Sequence, residues 1–177
     1  PDAITLACSL KACGCIKATN LGREIHSEVA RRGLLERDVV LGSTLVDMYI
    51  KCGLLENAKE VFINLPVRDV ITWTALISGY AQHECGEEAL NCFKEMQNSG
   101  FSPNAMTLAS SLKACGSVGA AEKGKELHLE ILRKGLLKRD LILGTALVDM
   151  YAKCGMLRRA QDVFNNLPYR DIVLWNS

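Results

Sequence analysis

Apolar residues recur along this chain at helical spacing, in runs of about 12 residues joined in pairs. Leu6, Ser9, Leu10 and Cys13 fall on one face, and Gly14 is read as the stop that ends the run. Leu21, Ile25 and Val29 line the face that follows. Leu45, Met48, Tyr49 and Cys52 end at Gly53; Leu55, Ala58, Val61, Phe62 and Leu65 then run to Pro66. Leu76, Ile77 and Tyr80 precede Ala89, Cys92, Phe93 and Met96, which end near Gly100. The glycines suit left-handed C-terminal caps, and the prolines block continuation. Before each new pair stands Asp2, Asp38, Asp69, Asn104, Asp140 or Asp171, all good N-cap types. Val70-Ile71-Thr72-Trp73 could begin a strand by composition, but helical spacing follows it directly. The expected fold is all-α: a right-handed α-solenoid of stacked helix–turn–helix repeats, each burying its apolar face against its neighbours.

The chain also repeats itself at long range. A shift of about 102 residues overlays it on itself without a gap. Pro1-Asp2-Ala3-Ile4-Thr5-Leu6 meets Pro103-Asn104-Ala105-Met106-Thr107-Leu108, and Leu45-Val46-Asp47-Met48-Tyr49 meets Leu147-Val148-Asp149-Met150-Tyr151. About 42 of the roughly 75 overlaid positions are identical, far above chance. The expected units are 3–38, 39–69, 70–104, 105–140 and 141–171, with a further unit starting over 172–177. Their lengths are about 36, 31, 35, 36 and 31 residues.

Composition narrows the function classes. With 177 residues, 49% of them hydrophobic and 23% charged, the chain can bury a core. No stretch is long and apolar enough for a transmembrane helix. A formal charge of +1 excludes coating nucleic acid by charge alone, though not a local basic stripe. Aromatics, at 6%, are too few for a platform of many stacking rings. The eight cysteines include no C-x-x-C pair, and Cys13-Gly-Cys15 is the only close pair. They are read as small, reduced, buried hydrophobes. The chain opens on Pro1 with no signal or transit segment and closes on Ser177; both ends look like cuts within a longer array. Cut ends expose apolar faces, so self-association is expected.

Val70-Ile71-Thr72-Trp73-Thr74-Ala75-Leu76-Ile77-Ser78-Gly79-Tyr80, with Glu88-Ala89-Leu90, Phe93, Met96 and Gly100-Phe101-Ser102-Pro103-Asn104, resembles a pentatricopeptide repeat. Leu45-Val46-Asp47-Met48-Tyr49, Lys51-Cys52-Gly53 and Ala58-Lys59-Glu60-Val61-Phe62 resemble the short units of its plant PLS subclass, in which long (L), short (S) and standard (P) units alternate. The order here is L, S, P, L, S and the start of another P. The resemblance implies sequence-specific binding of single-stranded RNA, one base per repeat. It further implies a mitochondrial or chloroplast protein acting in C-to-U editing or RNA processing. It implies no enzymatic activity in these residues and no cofactor.

In that family the fifth and last residues of a unit choose the base, and the second sandwiches it. Carried over, Ser43 with Asp69, and Thr145 with Asp171, resemble the guanine combination. An ionised Asp only accepts, and guanine's Watson–Crick edge carries N–H donors. Thr74 with Asn104 resembles the adenine combination, because an amide can also donate. Asn176 resembles a pyrimidine reader. The long units depart from the pattern: Ala7 and Ala109 hold the fifth position without a polar group, beside Asp38 and Asp140, so their bases are left blank. The implied preference is 5′-N-G-A-N-G-Y-3′. Val40, Ile71, Ile142 and Val173 would sandwich bases, and Lys51 and Lys153 hold positions that can touch phosphates.

Each feature also has a plainer reading. The last-position Asp and Asn residues are N-caps as well as base readers, and the two roles can coexist. Trp73 and Trp175 are expected to pack between helices. His26-Ser27-Glu28 and His128-Leu129-Glu130 match the H-x-E half of a zinc-deaminase signature, but the P-C-x-x-C half is absent. Repeat copying explains both strings. The competing function is a protein-binding solenoid, with editing cofactors of the MORF type docked on the long units. No membrane partner is expected.

Overall fold

The protein is described by a computed structural model covering residues 1–138 and 140–167. Ten α-helices and two 3-10 turns occupy these residues, and no strand occurs among them. The helices come in antiparallel-type pairs joined by short connections. They are α1 (Ala3–Ile16) with α2 (Thr19–Arg31), α3 (Val39–Lys51) with α4 (Leu55–Asn64), α5 (Val70–Gln82) with α6 (Gly86–Asn98), α7 (Ala105–Val118) with α8 (Ala121–Arg133), and α9 (Leu141–Lys153) with α10 (Leu157–Asn166). The 3-10 turns, Leu34–Glu36 and Leu136–Lys138, follow α2 and α8, which gives the longer units their extra length.

Compactness divides the chain into two bodies, Pro1–Gly79 and Tyr80–Ser177. In the first, α1 packs along α3, α2 packs on both, and α4 packs on α3. Its core is Leu6, Leu10, Cys13, Val29, Leu41, Leu45, Met48, Tyr49, Val61 and Phe62. The Ile50 side chain meets α5 at Gly79, where a Cβ would lie 2.8 Å from three of its atoms. Trp73 is only 3% exposed and stands edge-on to Phe62 with ring centroids 4.6 Å apart, the packing role expected of it. In the second body, α7 packs along α9 and against α6 and α8, and α9 against α10. Leu108, Leu112, Cys115, Leu127, Ile131, Leu143, Leu147, Met150 and Tyr151 form its core.

The caps follow the sequence pattern. Asp2, Asp38, Asp69, Asn104 and Asp140 each accept a backbone N–H from the first turn of the helix they precede. Asp171 and Trp175 lie outside the described residues. Gly53 and Gly100 adopt the left-handed conformation expected of a cap.

Three expectations need correction. Gly14 does not end α1: the helix runs on to Ile16, and Lys17 takes the left-handed cap at φ 55°. Gly14 is instead a point of close approach, since a Cβ there would sit 3.3 Å from the Met48 Cα. Leu21 does not line a buried face; it is exposed, and neighbouring Gly22 faces the Met48 sulfur instead. Cys13, Cys92 and Cys115 are buried, but Cys8 and Cys15 are exposed and Cys52, Cys85 and Cys154 only partly covered. All eight are free thiols.

Candidate nucleic-acid interface

The first helices α3, α5 and α7 are nearly enclosed by their neighbours and leave open one narrow stripe, whereas α1 also exposes Thr5, Cys8, Ala12 and Ile16. On α3 the stripe is Val40, Ser43, Asp47 and Lys51. On α5 it is Ile71, Ala75, Ser78 and Gln82. On α7 it is Met106, Lys113 and Ser117, and on α9 it includes Ile142, Thr145, Asp149 and Lys153. Steps of three, four and seven residues keep such positions on one side of a helix. The aliphatic residue at the head of each stripe is left in solvent: Val40 is 63% exposed, Ile71 67% and Ile142 59%. Ile4 and Met106 hold the same place on α1 and α7 and are likewise exposed, at 75% and 53%. Sequence reasoning omitted these two because the fifth residue of their units is an alanine. Their position relative to Asp2 and Asn104 was the signal that could have found them. Val173 and Asn176 lie outside the described residues.

The fifth-position hydroxyls share one geometry. Ser43 Oγ donates to the Val40 carbonyl at 3.0 Å, Thr74 Oγ1 to Val70 at 2.6 Å and Thr145 Oγ1 to Leu141 at 3.0 Å. With its proton turned to its own helix, the Ser43 or Thr145 hydroxyl offers lone pairs to a ligand. Ser43 and Thr145 are partly exposed; Thr74 is 9% exposed. Ala7 is half-buried and Ala109 nearly covered, with nothing polar to present.

Capping orients the last-position residues. Asp69 Oδ1 accepts from the Thr72 N–H at 2.8 Å and the Thr72 hydroxyl at 2.6 Å. Asp38 Oδ1 accepts from the Leu41 N–H at 3.1 Å, and Asp140 Oδ1 from the Ile142 N–H at 2.9 Å. In each Asp the remaining oxygen is a further acceptor. Asn104 Oδ1 accepts from the Thr107 N–H and hydroxyl, both at 2.9 Å, which makes its other amide atom, Nδ2, a donor. The cap thus turns the Asp/Asn difference into an acceptor/donor difference.

Lys51 and Lys153 end their stripes, but each is engaged. Lys51 Nζ lies 2.7 Å from Asp47 and Lys153 Nζ 2.8 Å from Asp149. That carboxylate raises the Lys51 pKa. The H-x-E strings come apart. His26 Nδ1 is 2.9 Å from the Tyr49 hydroxyl and His128 Nδ1 3.0 Å from that of Tyr151, while Glu28 binds Arg31 and Glu130 binds Lys134. The paired arginines hold the Glu28 carboxyl down at about 2. No group of three metal-binding side chains occurs among the described residues.

The model of the PPR repeat family matches residues 68–117, and that of the PPR repeat matches 43–70 and 145–172, together more than half of the chain. The chain belongs to the pentatricopeptide repeat family. It is 39% identical over 176 residues to a mitochondrial pentatricopeptide repeat-containing protein of Arabidopsis thaliana, covering 99% of this chain and 31% of the relative. A chloroplastic protein of the same description and plant is 41% identical over 177 residues, covering all of this chain and 28% of the relative. The chain therefore spans under a third of the length of these relatives. Among solved structures it is similar to the pentatricopeptide repeat protein PPR10 from maize, with a TM-score of 0.69 at 22% identity over 99% of this chain and 26% of that one. It is also similar to PPR10 in complex with an 18-nt psaJ RNA element, with a TM-score of 0.71 at 22% identity over 94% of this chain and 25% of that one. The fold is thus the all-α solenoid class expected from the helical runs.

Proposed function

We propose that this chain reads single-stranded RNA, one base per repeat, as part of the recognition array of a mitochondrial or chloroplast factor for C-to-U editing or RNA processing. The alternation of unit lengths supports the PLS subclass. The observation that carries the reading is the repeated stripe: a solvent-exposed aliphatic residue beside a polar fifth position and a capped Asp or Asn. An exposed β-branched side chain recurring at one register is a poor use of apolar surface in water but a suitable face for a base. Organellar relatives and the RNA complex of PPR10 support the same reading.

The cap geometry supports the base assignments. Asp69 would accept from guanine N–H groups, with Ser43 as its companion. Asn104, the last residue of its repeat unit, would donate to the adenine ring nitrogen through its amide. Thr145 with Asp171, and Asn176, are assigned by register alone. The test is binding to a short RNA containing G-A-N-G against scrambled controls, with Asp69→Asn and Asn104→Asp. Both substitutions keep a capping oxygen and exchange the other atom. Asp69→Asn should shift preference at its base from G toward A, and Asn104→Asp from A toward G, each by roughly 1–3 kcal/mol. If affinity follows neither sequence nor swap, the reading is wrong.

A protein partner on the long units, such as editing cofactors of the MORF type, is the second reading. Leu129 and Leu132 on α8 favour it, being about half exposed on the second helix of a long unit. Binding that ignores RNA sequence and salt would favour this reading over the first.

A further inference from the structure

We propose that the long units grip the RNA backbone through Lys11 and Lys113 and leave the base above them unread. This rests on the RNA-reading function proposed above and assigns those units a role that the base code leaves blank.

The argument begins with α7. Of its residues Ala105–Val118, only Met106, Lys113 and Ser117 are exposed. They stand seven and four residues apart, on one side of the helix. Ala109, between Met106 and Lys113, is 8% exposed and has no polar group. This open stripe therefore consists of an aliphatic platform, a gap without hydrogen-bonding capacity, a lysine and a serine. On α1 the same register holds Ile4, Lys11 and Cys15, all exposed, with Ala7 in the gap.

Neither lysine has a partner: no ion pair or hydrogen bond involves the Lys11 or Lys113 side chain among the described residues. Other stripes are different. In the short units the same ninth position is Asp47 or Asp149, and that carboxylate holds Lys51 or Lys153 four residues on. In the standard unit the two places are Ser78 and Gln82. Among the described residues, an uncompensated cation therefore occurs on the stripe where the polar fifth-position side chain is missing.

The chemistry fits this division. A phosphodiester carries one negative charge whatever its base, and an ammonium on a flexible four-carbon stem meets it as a point charge from many directions. An aliphatic platform is likewise indifferent to base identity. A unit with both, and with no polar fifth residue to partner the capping Asp38 or Asp140, would hold a nucleotide without choosing it. The carboxylate of a short unit would instead repel the phosphate and partly cancel its lysine, leaving the base edge to carry the contact.

The test uses the whole 177-residue chain, with affinity for a G-A-N-G RNA measured across a range of salt for Lys113→Gln and for Lys11→Gln/Lys113→Gln. Lys113→Arg and Lys94→Gln serve as controls; Lys94 is exposed on α6, away from the first-helix stripes. The slope of log affinity against log salt should become shallower by about 0.7 for each lysine removed. The loss should be the same whichever base stands opposite the long unit. Lys113→Arg and Lys94→Gln should leave the slope unchanged, and circular dichroism should show equal helix content in every variant. If the glutamine variants keep the full slope while Asn104→Asp still switches base preference, the backbone grip is wrong and the base reading stands. A loss that depends on the base opposite the long unit would also overturn it. If the unaltered chain binds no RNA, both fail together.

Discussion

His26 Nδ1 lies 2.9 Å from the hydroxyl of Tyr49, joining the second helix of one pair to the first helix of the next, and His128 with Tyr151 repeats the link at 3.0 Å. The rings meet edge-on, with centroids 5.6 Å and 5.7 Å apart. Burial holds both histidine pKa values below 6.5, so the neutral ring is the folded form. A base whose folded pKa is depressed stabilises fully above its unfolded pKa and loses that contribution as pH falls through the folded value. Stability should therefore be flat above neutrality and decline as pH drops below about 6.5. A pH series of thermal melts checks this. Glu60 pulls the His26 value back up, whereas Arg159 pushes that of His128 further down. His128 should titrate below His26 by NMR. Tyr49→Phe should cost about 1 kcal/mol and weaken the acid sensitivity.

Lys17 occupies the left-handed region at φ 55°, where the equivalent residue of the second copy is Gly119 at φ 70°. A side chain in that conformation carries a steric cost that glycine avoids. Lys17→Gly should stabilise the fold by about 1 kcal/mol, and Gly119→Lys should destabilise it by a similar amount. Denaturant melts of the two variants should move in opposite directions.

Gly79 lies on α5 where Ile50 of α3 closes in. An added methyl would meet three Ile50 atoms at 2.8 Å, and Ile50 is itself only 4% exposed. The gain in helix propensity, about 1 kcal/mol, should be outweighed by overpacking, giving a net loss of about 1–2 kcal/mol for Gly79→Ala. The same substitution made on Ile50→Ala should be neutral or stabilising. Equal losses in both backgrounds would sink the packing explanation.

Thiol reactivity should divide by position. Burial pushes the Cys115 thiol up to about 12 and raises that of Cys13 as well. The thiolate is the nucleophile, so both should resist alkylation in the folded chain. Exposed Cys8 and Cys15 should be labelled first by iodoacetamide at mild alkaline pH, with Cys13, Cys92 and Cys115 modified only on unfolding. Mass mapping over time reads the order.

The periodicity of the apolar residues determined the helices, and the Asp and Asn residues determined where they start. Both signals are local: a helix face repeats every three to four residues, and a cap needs only the N–H groups of the turn beside it. Copying at long range determined which positions are equivalent. Tertiary packing decided which of those positions stay open to solvent. Gly14 and Leu21 show why: the sequence marks a stop and a core residue, but neighbouring Met48 makes one a contact point and Gly22 turns the other out to solvent. In the same way, Lys51 and Lys113 look alike as lysines on helices of one repeat family. Only the folded register shows that Asp47 occupies one and that no described residue pairs with the other, because charge pairing depends on which side chains share a face once the remaining faces are buried.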